Sequence, residues 1–315
     1  MAPSIELSFV IPVYNGSRTI SDVVGRIHDL YRDLRYEIVL VNDGSRDDSE
    51  RVCRDLVEAH PRTVTLVNLA RNFGEHSAVL AGLNHSSGAF VAVLDDDGQN
   101  PPAEIRRLFD ALKARNLDVV YGRYRVKHHS RLRNLGSWFN DRVANFMLDK
   151  PRDLYLSSFK VMNRFVVDEI TRYQGSFPYI DGLILRTTRN LGQIEVDHHE
   201  APGASTYTFR KLIGLWLNMF LNFSITPLRL AALLGAITSS VSLALMVAVV
   251  LDKLYVNPEV PVGIPTVLVT VVFFSGVQLL ILGTIGEYLG RVFLDVTRSP
   301  QFVVRYVLDK RAGGG

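Results

Sequence analysis

Apolar and polar positions alternate along residues 7–121 in two rhythms, one of short continuous apolar runs and one of helical period. Leu7 to Val13 reads as a buried strand that ends in the turn Tyr14-Asn15-Gly16. Ser17 stands where a helix cap belongs, and Ile20, Val23, Val24, Ile27, Leu30 and Leu34 follow at the i, i+3, i+4, i+7 spacing of one buried helical face. Glu37–Asn42 is the next apolar run, closed by Asp43-Gly44-Ser45. The pattern then predicts a helix over Asp47–Ala59, a strand over Val64–Leu69, a helix near His76–Asn84 and a strand over Ala89–Asp95. A helix over Pro102–Ala114 and a strand over Asp118–Tyr121 complete the series. Strands alternating with helices imply right-handed crossovers, hence an α/β fold with a mostly parallel, Rossmann-like sheet and helices on both faces.

The rhythm changes after residue 206. Phe209, Leu212, Ile213, Trp216, Phe220 and Phe223 recur at helical spacing, opposite Arg210, Lys211, Gly214, Asn218 and Asn222. Aromatics on one side and cations near the start suit a helix lying in the bilayer interface. Leu230–Leu251 is then a run of 22 residues without a charge, and a spanning helix needs about 20. Val262–Gly286 is a second such run, ended by Glu287. The expected organisation is an α/β domain over 1–206, an interfacial helix over 207–226, two transmembrane helices within 227–290 (about 230–251 and 262–286) and a tail over 291–315. Arg210, Lys211 and Arg229 precede the first span and Arg291, Arg298 and Arg305 follow the second, whereas the linker holds Lys253 with Asp252 and Glu259. Positive-inside logic places the α/β domain and both termini in the cytoplasm, on a multi-pass protein of the cytoplasmic (inner) membrane.

Composition agrees with a mixed protein. The chain has 315 residues, 47% of them hydrophobic, and a mean hydropathy of +0.13, too apolar for a soluble enzyme and incompatible with disorder. A net charge of +3 makes no case for nucleic acid. Cys53 is the only cysteine, so neither an internal disulfide nor a cysteine metal cage is available, and its helical setting makes it a small core residue. Met1-Ala2-Pro3-Ser4-Ile5-Glu6 lacks the basic region of a targeting signal, and Gly313-Gly314-Gly315 is left out of the fold reasoning.

Ligands on parallel sheets bind beyond the carboxyl ends of the strands. The polar residues gather there: Asn15, Asp43, Arg71-Asn72 and Asp95-Asp96-Asp97. No Gly-x-Gly-x-x-Gly follows a strand, which excludes a nicotinamide dehydrogenase. Three carboxylates directly after Val91–Leu94 repel one another unless a cation sits among them. Hard oxygen ligands suit Mg²⁺ or Mn²⁺, with water and a diphosphate completing the shell. From Gly122 to Asn134 the chain carries Arg123, Arg125, Lys127, Arg131 and Arg133 and no acid, emerging at the same sheet edge. Guanidinium forks grip phosphate oxygens with two hydrogen bonds at once, so an acidic and a basic wall fit a metal-bound diphosphate meeting a second anion. The adjacent pairs His128/His129 and His198/His199 diverge on a strand and make poor metal ligands.

At Val10-Ile11-Pro12-Val13-Tyr14-Asn15, Val41-Asn42-Asp43-Gly44-Ser45, Arg71-Asn72-Phe73-Gly74 and Leu94-Asp95-Asp96-Asp97-Gly98-Gln99-Asn100-Pro101-Pro102 the chain resembles the family-2 glycosyltransferases of GT-A fold. Over about residues 7–308 it is similar to the polyprenyl-phosphate branch: bactoprenol glucosyltransferases, the undecaprenyl-phosphate formamido-arabinose transferase and dolichol-phosphate mannose synthase. The resemblance implies that Pro12, Tyr14, Asn15, Asp43, Arg71 and Asn72 line the nucleotide site, with Asp43 near the base. Asp95 and Asp97 correspond to the two acids of the D-x-D motif, with Asp96 between them and Gln99 trailing as a further metal neighbour for Mg²⁺ or Mn²⁺. Arg125, Arg131 and Arg133 fall in the region that contacts the donor diphosphate and acceptor phosphate.

Two segments depart from the family pattern. The acid of D-x-G-x-x-x-R, aligned on Lys160, falls at Leu154, leaving Asp153 one residue off as the candidate base. In Gly203-Ala204-Ser205-Thr206-Tyr207, Thr206 stands where a Lys or Arg is common; Arg210 or Lys211 is the expected replacement for that charge, and Ser205 and Arg210 are expected at the donor site.

The resemblance implies transfer of one sugar, with inversion, from a nucleotide diphosphate sugar (UDP-glucose is expected) to polyprenyl (undecaprenyl) phosphate at the lipid bilayer. It also implies a homo-oligomer, a tetramer in relatives. A processive polysaccharide synthase would carry Gln-x-x-Arg-Trp, and neither Trp138 nor Trp216 stands in that pattern. A catalytically silent scaffold that binds lipid phosphate is opposed by the intact Asp95–Asp97 pair.

Overall fold

The computed structural model describes residues 5–124, 154–176, 178–197, 263–296 and 300–311, with scattered helical positions between 233 and 255. Strands β1 (Leu7–Val13), β2 (Tyr36–Asn42), β3 (Val64–Leu69) and β4 (Phe90–Val93) form the parallel centre of an eight-stranded sheet. Their side chains are apolar at consecutive positions because helices cover both faces; Phe9, Val10 and Ile11 are all fully buried. β5 (Val119–Tyr124), β6 (Lys160–Asn163), β7 (Leu191–Val196) and β8 (Val304–Leu308) complete the order β7-β5-β6-β4-β1-β2-β3-β8. β6 runs antiparallel to β4 and β5, and β8 antiparallel to β3.

Helices α1 (Ile20–Leu30), α2 (Ser49–Ala59) and α4 (Pro102–Ala114) supply the core on one face, around Phe9, Ile27, Leu40, Cys53 and Phe109. α3 (Glu75–Asn84), α5 (Arg164–Thr171) and α6 (Ile180–Thr187) supply the other, around Val10, Val41, Leu80, Val166 and Ile184. The expected elements are present, with boundary corrections that have local causes. α1 starts after Thr19 rather than at a Ser17 cap, and Leu30 is 47% exposed. Tyr31 takes the place expected of Leu30: its ring packs edge-on to Phe9 at 4.8 Å, and its hydroxyl donates to the Pro102 carbonyl at 2.7 Å. β5 runs three residues further than expected, because Gly122, Arg123 and Tyr124 pair with Ile194, Glu195 and Val196 of β7.

Residues 1–206 with 298–315 form one compact unit, and 207–297 a second. The C-terminal segment expected as a tail thus contributes β8. Tyr306 anchors it: the Arg54 guanidinium lies 4.7 Å from the ring centroid, and the phenol donates to Glu50 at 2.7 Å. Beyond β8, Arg311 pairs with Glu37, a carboxylate with 0% exposure that also accepts from Ser8 Oγ at 2.6 Å and from the Ser87 backbone N–H at 2.6 Å.

In the second unit, α7 (Ile264–Val296) has 33 residues, about 50 Å at 1.5 Å per residue, so it exceeds the roughly 30 Å hydrocarbon core. It is the one helix among the described residues long and apolar enough to cross a membrane, through Phe273–Gly290. It passes Gly286 and Glu287, where the span was expected to end, without breaking. Val271, Phe273, Leu279, Leu282 and Leu289 stand exposed along it, as lipid-facing side chains do. The described positions of the 230–251 stretch are helical, and Gly235 abuts Ile281 of α7, where a Cβ would come within 3.3 Å of the Ile281 side chain. The interfacial helix expected over 207–226 lies outside the described residues.

Removing Arg311 leaves the fully buried Glu37 carboxyl without its cation. Arg311→Met is expected to lower stability by about 3 kcal/mol, the scale for breaking a buried pair from one side, and Glu37→Gln in that background to recover part of the loss. Thermal melts of the detergent-solubilised full chain check this, and an unchanged melting temperature in Arg311→Met would refute it.

Candidate active site

The strand order reverses at β1: successive crossovers carry the chain to β2 and β3 on one side, and β4 lies on the other. Such a reversal opens a crevice at the carboxyl ends of the two diverging strands. The loop after β1 and the loop after β4 meet there, where the Tyr14 N–H donates to Asp96 Oδ2 at 3.1 Å. Gly16 approaches the same carboxylate so closely that a Cβ would sit 2.1 Å from Asp96 Oδ2.

The loop after β2 is tied in on the other side. Asn15, in the left-handed region at φ 57, accepts from the Arg46 N–H at 2.9 Å, and its own N–H donates to Ser45 Oγ at 3.1 Å. Asp43 is only 3% exposed, and its two oxygens accept the N–H groups of Phe73 at 2.7 Å and Gly74 at 2.9 Å. The structure therefore gives Asp43 an anchoring place beneath the Arg71–Gly74 turn. Burial pushes its pKa upward, opposed by those two amides. Gly44, at φ +61, permits the close approach: a Cβ there would lie 2.5 Å from the Arg71 and Asn72 backbone. Tyr14, 44% exposed, and the exposed Arg71 and Asn72 stand clear of this framework, and Pro12 sits half-buried in β1 opposite Val41. The Arg71 guanidinium lies over the Phe73 ring at 4.6 Å.

After β4 the acids take different settings. Asp95 Oδ2 accepts from Asn100 Nδ2 at 2.8 Å and Ser158 Oγ at 2.9 Å. Asp97 is exposed, and accepts from the Gln99 N–H at 3.0 Å and from Gln99 Nε2 at 2.5 Å. The Gln99 side-chain nitrogen thus orients Asp97. Burial raises the pKa of Asp95, with Asp97 adding to it. Asp96 is pushed up to about 7, first by burial and then by the charges of Asp97 and Asp95, against the Tyr14 N–H. By area Asp95 and Asp96 are half-buried rather than sealed in the interior.

No group of three or more His, Cys, Asp or Glu among the described residues is gathered to hold a metal. Asp95 and Asp97 offer two hard carboxylates, which fits Mg²⁺ or Mn²⁺ held by one or two carboxylates with water and phosphate completing the shell.

Further groups belong to this corner. The register Val93↔Lys160 brings the start of β6 beside the end of β4. Lys160, 3% exposed, pairs with Asp181, which also accepts from the Tyr121 hydroxyl at 3.1 Å. Burial holds His76 down near 4, and its ring packs edge-on to Tyr179 at 4.9 Å. Sequence reasoning passed over Asp181, although a lone acid inside the apolar run Ile180–Leu185 was a readable signal. Leu154, at the position of the family acid, is 7% exposed and packs in the core. Arg125, Arg131, Arg133, Asp153, Ser205 and Arg210 lie outside the described residues.

Comparison with known proteins gives concordant findings. Residues 8–171 match the family model described as glycosyl transferase family 2. The undecaprenyl-phosphate 4-deoxy-4-formamido-L-arabinose transferase of Klebsiella pneumoniae (strain 342) is 31% identical over 310 residues, 97% of this chain and 94% of that protein. The protein of the same name from Serratia proteamaculans (strain 568) is 32% identical over 320 residues, 98% of this chain and 96% of that one. Among solved structures, mannosyl-3-phosphoglycerate synthase from Rubrobacter xylanophilus superposes with a TM-score of 0.50 at 15% identity, covering 68% of this chain and 71% of that one. That likeness is one of fold.

Gly44→Ala tests the junction of the loops. A side chain at positive φ costs about 1–2 kcal/mol, and the Arg71–Asn72 backbone must move as well. The variant is expected to melt several degrees lower, and a wild-type melting temperature would refute the packing argument.

Proposed function

The chain belongs to glycosyl transferase family 2, and from that premise we propose that it moves one sugar from a nucleotide diphosphate sugar, UDP-glucose in the first instance, to undecaprenyl phosphate. The observation that carries the reading is the row Asp95-Asp96-Asp97 at the β1/β4 crevice, walled by the loops of Tyr14 and Arg71–Gly74. Similarity along nearly the whole chain to transferases named for undecaprenyl phosphate supports the acceptor.

In this reading the uridine lies among Pro12, Tyr14, Arg71 and Asn72, with Asn15 and Asp43 fixing the wall. The diphosphate lies at Asp95 and Asp97, with Gln99 orienting Asp97. A bound Mg²⁺ or Mn²⁺ would supply charge stabilisation to the departing diphosphate. Asp96 keeps the two loops in register through Tyr14. Arg125, Arg131 and Arg133 hold the acceptor phosphate and diphosphate, and Ser205 and Arg210 complete the donor site.

The acceptor is a phosphate monoester whose second pKa is near ~6, so its oxygen is ionised at neutral pH. No strong base is required, which accords with a buried Leu154 where the family acid would stand. Asp153 is left as an auxiliary to acceptor placement. Attack on the anomeric carbon from the face opposite the diphosphate inverts its configuration. In the same reading the catalytic unit and both termini lie in the cytoplasm, the acceptor is a lipid of the same membrane, and the enzyme works as a homo-oligomer. A UDP-linked formamido-arabinose donor is the second reading, favoured by the names of the relatives.

Asp97→Asn is expected to cut lipid-dependent UDP release by roughly 10²- to 10³-fold, while detergent extraction and melting stay as in wild type. Wild-type turnover in that variant would overturn the metal assignment.

A further inference from the structure

Two side chains from different parts of the chain donate to the same oxygen of Asp95. Asn100 Nδ2 lies 2.8 Å and Ser158 Oγ 2.9 Å from Oδ2. Asn100 belongs to the loop of the acids themselves, five residues on, and is 2% exposed. Ser158 stands 63 residues away in sequence, just ahead of β6.

The sheet brings Ser158 there. β6 runs antiparallel to β4 with Val93 opposite Lys160, and continuing that register by two residues sets Ser158 opposite Asp95. On its other side β6 runs antiparallel to β5 with Tyr121 opposite Lys160, and the Gly122 N–H donates to the Phe159 carbonyl at 2.9 Å. The same continuation sets Ser157 opposite Tyr124, whose phenol oxygen accepts from Ser157 Oγ at 3.1 Å. Ser157 Oγ in turn accepts the Phe159 N–H at 3.1 Å. The backbone on both sides of Ser158 is thus held independently of its own bond to Asp95.

A carboxylate oxygen offers roughly two lone-pair directions, and at Oδ2 two donors take them. A cation bound at Asp95 therefore takes Oδ1. Mg²⁺ demands near-ideal octahedral geometry, so a carboxylate fixed in advance holds it better than one free to rotate. We infer that Ser158 is a positioning residue for the cation: together with Asn100 it clamps Oδ2 of Asp95 and sets Oδ1 toward Mg²⁺ or Mn²⁺. The inference rests on the metal reading above. Ser158 acts through Asp95, not by touching either substrate.

The test titrates Mn²⁺ into the full chain in detergent with UDP present, following the ion by electron paramagnetic resonance. Lipid-dependent UDP release is measured separately against Mn²⁺ concentration. Ser158→Ala is expected to raise the Mn²⁺ dissociation constant by roughly 10- to 100-fold, the scale for losing a partner that orients a metal ligand. The Mn²⁺ needed for half-maximal release should rise in step, while kcat at saturating Mn²⁺ changes far less. Ser158→Thr, which keeps the hydroxyl, should recover most of the affinity. Ser157→Ala removes the neighbouring bond to Tyr124 and should keep wild-type Mn²⁺ affinity. Unchanged affinity in Ser158→Ala beside weakened binding in Asp95→Asn would overturn the positioning role and leave the metal reading intact. An equal loss of affinity in Ser157→Ala, or a fall in kcat alone, would do the same. Wild-type affinity in both Asp95→Asn and Asp97→Asn, or no Mn²⁺ binding by the wild type, would overturn both.

Discussion

The reversal of strand order between β1 and β4 is the constraint on which the rest of this molecule depends. With β2 and β3 on one side of β1 and β4 on the other, two loops diverge at the carboxyl edge, and polar groups stand on both walls of the gap between them. The Tyr14 N–H bond to Asp96 fastens the gap, and the Asp43 bonds to Phe73 and Gly74 fasten the next loop along. These bonds set the walls at defined separations. Tyr14, Arg71 and Asn72 stand exposed beside this framework, with the Arg71 guanidinium over the Phe73 ring.

Electrostatics give this frame its chemistry. Asp95, Asp96 and Asp97 follow one another directly, and burial acts on the first two in the same direction as their mutual repulsion. Lys160 opposes that repulsion at Asp95 but is itself committed to Asp181. A divalent cation would relieve the excess of negative charge that these carboxylates present. Leu154, at the position where the family acid was expected, is instead part of the hydrophobic core.

The α/β unit is also closed by sequence from beyond α7. β8 covers the edge of β3, which would otherwise present unpaired backbone groups. Arg311 then reaches Glu37, a residue that Ser8 and Ser87 hold in the interior. Chain segments before and after α7 are thus parts of one folded body. The α/β unit includes residues that follow α7 in the chain.

The sequence by itself determined what depends on neighbours a few residues apart. The period of Ile20, Val23, Val24 and Ile27, the continuous apolar runs of the central strands, and the order of strands and helices are local properties, and they were legible as a mostly parallel α/β sheet. The row of acids after an apolar strand was legible for the same reason, as was the long apolar run within α7. Tertiary structure decided what depends on distance in the chain: that Asp43 anchors a turn 30 residues away, that residues 304–308 return as an edge strand, that Tyr31 displaces Leu30 from the core, and that Lys160 meets Asp181. The physical reason is that a hydrogen bond or buried ion pair is selected by which groups the packed core leaves within reach, and desolvation gives that choice its energy only after the sheet has assembled.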